Sequence, residues 1–344
     1  MSEKINVRTI AKSINVSPIT VSRALNGHPS VKTSTRNRIL KKVNELGYNY
    51  KAKSTTVKNR KLKNVAIHCV SDKLHGDIYF NFYGQLYFFC INRLKMLGYT
   101  GHTFDLNNID DEAMSELNEC GSLVLLSKVS HEVLQSIRSN IPDLNIVSIF
   151  TEERDFPTVL PDDIMGGEMA ADYMAERNHR HVAVFSELEE PCFRLRYSGF
   201  HSRMIYKCPN ATVDLIRFTN PSDRETADKY KIKSLDNYFE NRKDMPTAIF
   251  ATNGYSAVFL CNYLRERGIS VPGEIGIVGY DNYDYYQVIE VPLTRITFDL
   301  KILAKQAIQL LDNIIKKKVS GKFTILIPVE MIDKDSVKKI SLSE

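Results

Sequence analysis

Nowhere do the 344 residues contain the ~18 consecutive apolar positions that a membrane-spanning helix requires. The opening MSEKINVRTIAKS also lacks the apolar centre of a secretory leader. Both absences point to a cytoplasmic protein with no membrane role. The six cysteines, Cys69, Cys90, Cys120, Cys192, Cys208 and Cys261, show no C-x-x-C spacing, which speaks against a zinc knuckle or a disulfide framework and leaves reduced thiols as the expectation. G-x-x-x-x-G-K-[ST], G-x-S-x-G and H-E-x-x-H are all missing. His131-Glu132 has no second histidine, and His179-x-His181 falls where a helix gives way to a strand, a place where a turn role is commoner than metal binding. No catalytic residue, cofactor or metal is expected, and the chain reads as a non-enzyme.

Acidic residues are almost absent from the first 63 positions. Ten Lys and five Arg stand there against Glu3 and Glu45, a net of +13, so the overall +5 leaves −8 on everything that follows. An apolar fraction of 43% with 25% charged residues suits a folded chain with a large core, and 344 residues exceed one small domain. A basic module ahead of a mildly acidic body is the electrostatic footprint of phosphate binding. Composition alone leaves a solvated basic arm open; periodicity decides between them.

Three short helices are patterned into the basic region. Ile10, Ala11 and Ile14 form one stripe over Arg8 to Ile14, and Asn15-Val16 supplies a turn. Ser17-Pro18 is an N-cap followed by proline at the first helical position, starting a helix from Pro18 to Leu25. Val21, Ala24 and Leu25 face inward there, leaving Ile19, Thr20, Ser22, Arg23 and Asn26 on or near the outer face, with Asn26-Gly27 as the stop. A third helix from Thr33 to Leu46 carries Ile39, Leu40, Val43 and Leu46, with Gly47 placed for a left-handed cap. Two helices across a tight turn with a third behind them make a helix-turn-helix unit, whose second helix can enter a major groove. Arg23 is then the foremost base reader, since a guanidinium can bond guanine O6 and N7 together. The bland alternative is a small helical protein-interaction module.

From Val65 onward short β-rich runs alternate with helical ones. Strands are expected at Val65–Val70, Leu123–Leu126, Ile146–Phe150, Val182–Phe185, Val213–Phe218, Ala248–Ala251 and Ile275–Gly279, and helices at Phe82–Leu97, Met165–Arg177, Arg224–Asn241 and Tyr255–Arg267. Alternation implies doubly wound parallel sheets, and this length implies two lobes with a cleft at the carboxyl ends of the strands. Asp162, Asn253 and Asp281 each follow a strand-like run, and Arg196 opens the helix-like Arg196-Tyr-Ser-Gly-Phe200. Two carboxylates, an amide and a guanidinium can together hold the hydroxyls of a polyol. A polar residue after a strand is nonetheless more often a helix N-cap than a ligand. Phe82-Tyr83 at the head of the first long helix, and Tyr283, Tyr285 and Tyr286, offer flat faces for a sugar ring or a purine, core packing being the alternative for each.

The run Val7-Arg-Thr-Ile-Ala-Lys-Ser-Ile-Asn-Val-Ser-Pro-Ile-Thr-Val-Ser-Arg-Ala-Leu-Asn26, followed by Thr35-Arg36 and Leu46-Gly47-Tyr48, resembles the N-terminal signature of the lactose-repressor (LacI/GalR) family. Asp162-Asp163-x-x-Gly166-Gly167, His179-Arg180, Arg196-x-x-Gly199-Phe200, Pro246-Thr-Ala248 with Asn253, and Gly279-Tyr280-Asp281 resemble its effector-domain landmarks in order. The resemblance implies a helix-turn-helix DNA-binding domain over 1–48, a basic hinge over 49–63 and a two-lobed periplasmic-binding-protein-like effector domain over 64–344. The first lobe is expected to take 64–161 plus 293–322 and the second 162–292 plus 323–344. It places Pro18, Ile19 and Arg23 at base edges and Asn6, Ser17, Asn26, Ser30, Thr35 and Tyr48 near phosphates, with Thr20 beside them on the same helix. Lys51 and Ser54 fall near the DNA backbone and Val57 at a minor-groove wedge, although Tyr50 replaces the usual proline and Val57 the usual leucine. Asp162, Arg196, Asn253 and Asp281 fall at effector contacts. Asp163 stands where asparagine is usual, Gly254 where aspartate is usual, Asn178 replaces the glycine before His179, and Arg295 interrupts the usual double threonine. The implied function is a homodimeric repressor of carbohydrate-utilisation genes on palindromic operator DNA, controlled by a small-molecule effector, expected to be a carbohydrate. A purine or other metabolite in the same architecture is the alternative, and a two-lobed solute-binding protein without a DNA role the rival from another class.

Overall fold

The computed structural model describes residues 6–25, 31, 33–46, 64–69, 76–107, 109–150, 155–219, 221, 224–240, 244–281 and 291–341. The chain divides into two units, Met1–Lys61 and Leu62–Glu344. In the first, α1 (Val7–Ser13), α2 (Pro18–Leu25) and α3 (Thr33–Glu45) enclose a small core of Ile10, Ala11, Val21, Ala24, Leu25, Val31, Ile39 and Val43. Asn15 makes the α1–α2 turn with φ 52, a left-handed conformation that asparagine tolerates better than most residues.

The second unit is built on two six-stranded sheets. In chain order the elements are β1 (Asn64–His68), α4 (Gly76–Met96), β2 (Thr100–Phe104), α5 (Asp111–Cys120), β3 (Ser122–Leu125), α6 (His131–Asn140), β4 (Asn145–Ile149), β5 (Thr158–Pro161), α7 (Asp163–Glu176), β6 (His181–Ser186), α8 (Pro191–Lys207), β7 (Thr212–Arg217), α9 (Arg224–Glu240), β8 (Ala248–Ala251), α10 (Gly254–Glu266), β9 (Gly276–Tyr280), β10 (Thr294–Thr297), α11 (Leu300–Ile315), β11 (Thr324–Ile327) and β12 (Glu330–Ile332). The first sheet runs β11-β5-β4-β3-β1-β2 and the second β12-β10-β9-β8-β6-β7. Every pairing is parallel except β10 with β12. Central strands such as Ser122–Leu125 and Ala248–Ala251 are buried along their whole length, as parallel strands covered by helices on both faces must be.

Strand membership places the crossings between the sheets differently from the expected lobe limits. The first crossing lies at Asp162, between β5 and α7. β10 belongs to the second sheet and β11 to the first, so the other two fall after Thr297 and after Ile327 rather than at 292/293 and 322/323. Outer and antiparallel strands this short carry no periodicity from which lobe membership can be read. Two crossings are joined directly, the Asp162 N–H donating to the Ile327 carbonyl at 3.0 Å.

Candidate functional site

On α2, burial of Val21, Ala24 and Leu25 leaves Pro18, Ile19, Ser22 and Arg23 exposed and Thr20 half-buried. Ile19 is 63% exposed, an apolar side chain on an otherwise polar face. Ser17 and Asn6 are occupied as N-caps. Ser17 Oγ accepts the Thr20 N–H at 3.0 Å, and Asn6 Oδ1 accepts that of Thr9 at 3.1 Å while Thr9 Oγ1 accepts the Asn6 N–H at 2.8 Å. Thr35 is half-buried in the first turn of α3. Asn26, Ser30, Tyr48, Lys51, Ser54 and Val57 lie outside the described residues, as do Tyr283, Tyr285 and Tyr286.

At the carboxyl ends of the second unit's strands, two of the four expected polar residues act as caps. Asp162 Oδ1 accepts the Met165 N–H at 3.0 Å at the start of α7, and Asn253 Oδ1 accepts the Ser256 N–H at 2.7 Å at the start of α10. Each keeps further hydrogen-bonding capacity, a second carboxylate oxygen on one and an amide NH₂ on the other.

Arg196 sits within α8, not at its opening. Pro191 is pre-organised for the first helical position and begins the helix five residues earlier, so Arg196 projects from the second turn. Its guanidinium is buried. Nε donates to Asp163 Oδ1 at 2.8 Å, and Nη1 donates to the Thr252 carbonyl at 2.7 Å and to Asp281 Oδ1 at 3.1 Å. Cζ lies 3.6 Å from the centre of the Tyr280 ring, a stacked cation–π contact. Asp281 itself has φ 93, a strained conformation for a residue with a side chain, and its second oxygen accepts the Gly254 N–H at 3.2 Å. Gly254, where the resemblance led one to expect aspartate, thus supplies a backbone donor to the same carboxylate.

The helix pair beneath this cluster explains the glycines. A Cβ on Gly167 would strike the Arg196 carbonyl and the Phe200 nitrogen, one on Gly199 would strike the Ile164 carbonyl, and one on Gly166 would enter the Tyr280 ring. Glycine at 167 and 199 lets α7 and α8 meet backbone to backbone, which brings Asp163 to Arg196, while Gly166 makes room for the Tyr280 ring. Asp163, 4% exposed, is the partner that sequence reasoning missed. Its signal was present as a second carboxylate immediately before the Gly166-Gly167 face, but only the pairing of α7 with α8 shows which cation it meets.

Burial disfavours the charged guanidinium, yet Asp163 and Asp281 outweigh that and hold Arg196 well above the ordinary arginine value. Burial pushes the Asp163 carboxyl up against the opposing pull of Arg196. Cys192, one turn earlier on α8, is likewise pushed up by burial and stays a thiol. Lys128, just beyond β3, reaches Glu190 at the head of α8 across 3.3 Å and so ties the first lobe to the second at an exposed pair.

Phe82 and Tyr83 lie in the second turn of α4, which starts at Gly76 rather than at Phe82. The Phe82 ring is 5.4 Å from Phe150 and 6.4 Å from Phe298, with Tyr83 edge-on at 5.2 Å. Phe150 follows β4 and Phe298 follows β10, so the cluster joins strand ends of both sheets. Among the described residues no group of three or more His, Cys, Asp or Glu is arranged to hold a metal, and no helix is long and apolar enough to cross a membrane.

A helix-turn-helix unit followed by a two-lobed parallel α/β unit, with a guanidinium fixed at its strand ends, defines a DNA-binding regulator with an effector-binding domain. Residues 6–50 match the model for bacterial regulatory proteins of the lacI family, and residues 171–337 that for the periplasmic binding protein-like domain. The chain belongs to the lacI family. It is 24% identical over 341 residues to the HTH-type transcriptional repressor PurR of Vibrio campbellii, covering 97% of this chain and 99% of that one. Among solved structures, the CelR–cellobiose complex superposes with TM-score 0.63 at 20% identity over 97% of this chain and all of that one. The lac repressor dimer bound to operator and the anti-inducer ONPF gives TM-score 0.64 at 16% identity, over 98% and 100%.

Proposed function

We propose that this protein is a cytoplasmic, nucleoid-associated repressor that binds a palindromic operator as a homodimer, and that a small carbohydrate held between its lobes sets its operator affinity. The observation that carries the sensing half is the buried Arg196, fixed by Asp163, Asp281 and the Thr252 carbonyl where the strands of the second sheet end. Asp162 and the Phe82–Phe150–Phe298 cluster stand at strand ends of the first lobe or at the lobe crossings, so a ligand touching both groups favours one lobe arrangement over another. For the DNA half, Arg23 and the exposed Ile19 supply a guanidinium for guanine and an apolar surface for a thymine methyl, with Pro18 beside them. Asn6, Ser17, Thr20, Asn26, Ser30, Thr35 and Tyr48 would lie along the phosphates, and Lys51, Ser54 and Val57 in a hinge against the backbone and minor groove.

A purine effector is the second reading. It is favoured by the aromatic Phe82-Tyr83 pair and by the likeness to a PurR repressor. Footprinting upstream of the gene for this chain, repeated with a panel of sugars and nucleobases, tests both halves. A protected inverted repeat that a sugar releases or strengthens is the expected result; absence of salt-sensitive protection would remove the DNA-binding reading.

A further inference from the structure

We infer that Asp163 sets the charge selectivity of the cleft, so that it takes an uncharged, hydroxyl-rich ligand and rejects the phosphorylated or carboxylated form of the same molecule. This rests on the effector-site reading above and narrows the ligand class. Arg196 offers five N–H donors. Three are used, on Asp163, Thr252 and Asp281, while Nη2 has no hydrogen-bond partner among the described residues. Among the described residues two carboxylates face one guanidinium, and the direct ion pairs favour their ionised forms, so the cluster carries a net negative charge.

An anion approaching Nη2 therefore meets repulsion in a site that screens it poorly. To claim more of the fork it must also displace a carboxylate, leaving that group buried and unpaired. A neutral polyol has neither difficulty. Each hydroxyl can accept from Nη2 or the Asn253 amide and donate to the second oxygen of Asp162 or to a remaining lone pair on Asp281. Asparagine at 163 would keep an acceptor for the Nε–H while removing one charge, leaving Arg196 balanced against Asp281 alone. The departure from the family pattern at this position thus adds one negative charge to what would otherwise be a balanced pair.

The test measures thermal unfolding of the full chain at matched ionic strength. The neutral probes are D-ribose, D-galactose and cellobiose, and the anionic ones D-ribose 5-phosphate, D-galacturonate and inorganic phosphate. No anionic probe is expected to stabilise the wild type, and Asp163→Asn should bind at least one of them about tenfold more tightly, equivalent to ~1.4 kcal/mol. Should Asp163→Asn fail to fold, Asp281→Asn removes the other carboxylate and should show the same gain. An anionic probe that stabilises the wild type as well as its neutral counterpart overturns the inference, as does a folded variant with no gain for any anion. If no neutral probe moves the wild type while Asp163→Asn acquires anion binding, the charge selectivity stands and the carbohydrate reading falls.

Discussion

Arg196 is stacked on Tyr280, its Cζ 3.6 Å from the ring centre, and the same tyrosine is the side chain that a Cβ on Gly166 would strike. The guanidinium is thereby held by an aromatic face and two carboxylates, and the α7 backbone at Gly166 lies against that same tyrosine. Such a group cannot be removed without leaving its partners stranded.

Arg196→Ala should accordingly destabilise the larger unit by about 3–5 kcal/mol, because Asp163 is left buried without its cation. Urea unfolding followed by circular dichroism measures this as a lower midpoint at unchanged slope. The double variant Arg196→Ala with Asp163→Ala should lose less than the sum of its parts. Simple additivity would show that the pair is not coupled.

Gly167→Ala should cost about 1–3 kcal/mol by forcing α7 and α8 apart at the Arg196 carbonyl. Gly98→Ala is a useful contrast, since that position has φ 85 and open space around it. Strain there comes from the backbone alone, and the geometry around Arg196 should be untouched. Ligand titration of the two variants separates them: only Gly167→Ala should weaken binding beyond its effect on stability.

His179 gives the pH dependence a direction. Its Nε2–H donates to the Lys338 carbonyl at 2.9 Å and Nδ1 lies 2.7 Å from Thr247 Oγ1, and burial lowers its pKa below 6.5. His68 is lowered for the same reason. A depressed value means the unfolded chain takes up the proton first, so these residues contribute stability that is complete above pH ~6.5 and lost as pH falls through the lowered values. Asp333 and Asp312, also lowered, lose their contributions only in more acid solution, below the ordinary carboxylate value of 3.8. Urea midpoints between pH 8 and pH 5 should fall with acidity in wild type and fall less in His179→Gln. Equal slopes in both proteins would exclude His179 as the group responsible.

On DNA, Arg23→Ala should relax base preference at one position per half-site, at ~1–3 kcal/mol, while leaving the salt dependence nearly as steep. Lys51→Ala should weaken all sequences alike and reduce the salt slope by about one. A competition assay with single-base operator variants, repeated at two salt concentrations, distinguishes them. Uniform weakening from Arg23→Ala would make it a phosphate contact.

Much of this architecture was legible where local chemistry is strong. Ser17-Pro18 and the Val21, Ala24, Leu25 stripe fixed the bounds of α2, and four consecutive apolar residues between breakers marked Ala248–Ala251. The edge strand Thr100–Phe104, buried only at its last residue, has no such run to mark it. α4 starts six residues before Phe82, at Gly76, and Asp77 was a helix-start signal left unused. At the site, Asp162, Arg196, Asn253 and Asp281 were singled out from their places in the chain. That Asp162 and Asn253 would spend an oxygen on capping was the local alternative the sequence offered, whereas the meeting of Asp163 with Arg196 depends on how α7 and α8 are placed in three dimensions. Residue spacing along the chain does not contain that information.

The three crossings between the sheets bear on how the protein can be dissected. Because β10 and β12 complete one sheet and β11, lying between them in the chain, completes the other, no single cut yields two whole lobes. A fragment ending at Asp162 would leave β5 without its neighbour β11, and the complementary fragment would carry that strand with nothing to pair it against. The first would present a bare sheet edge and the second an unpaired strand, to solvent and to its own kind. Isolated lobes should therefore aggregate when expressed separately, and co-expression as complementary fragments is the arrangement under which they should become soluble.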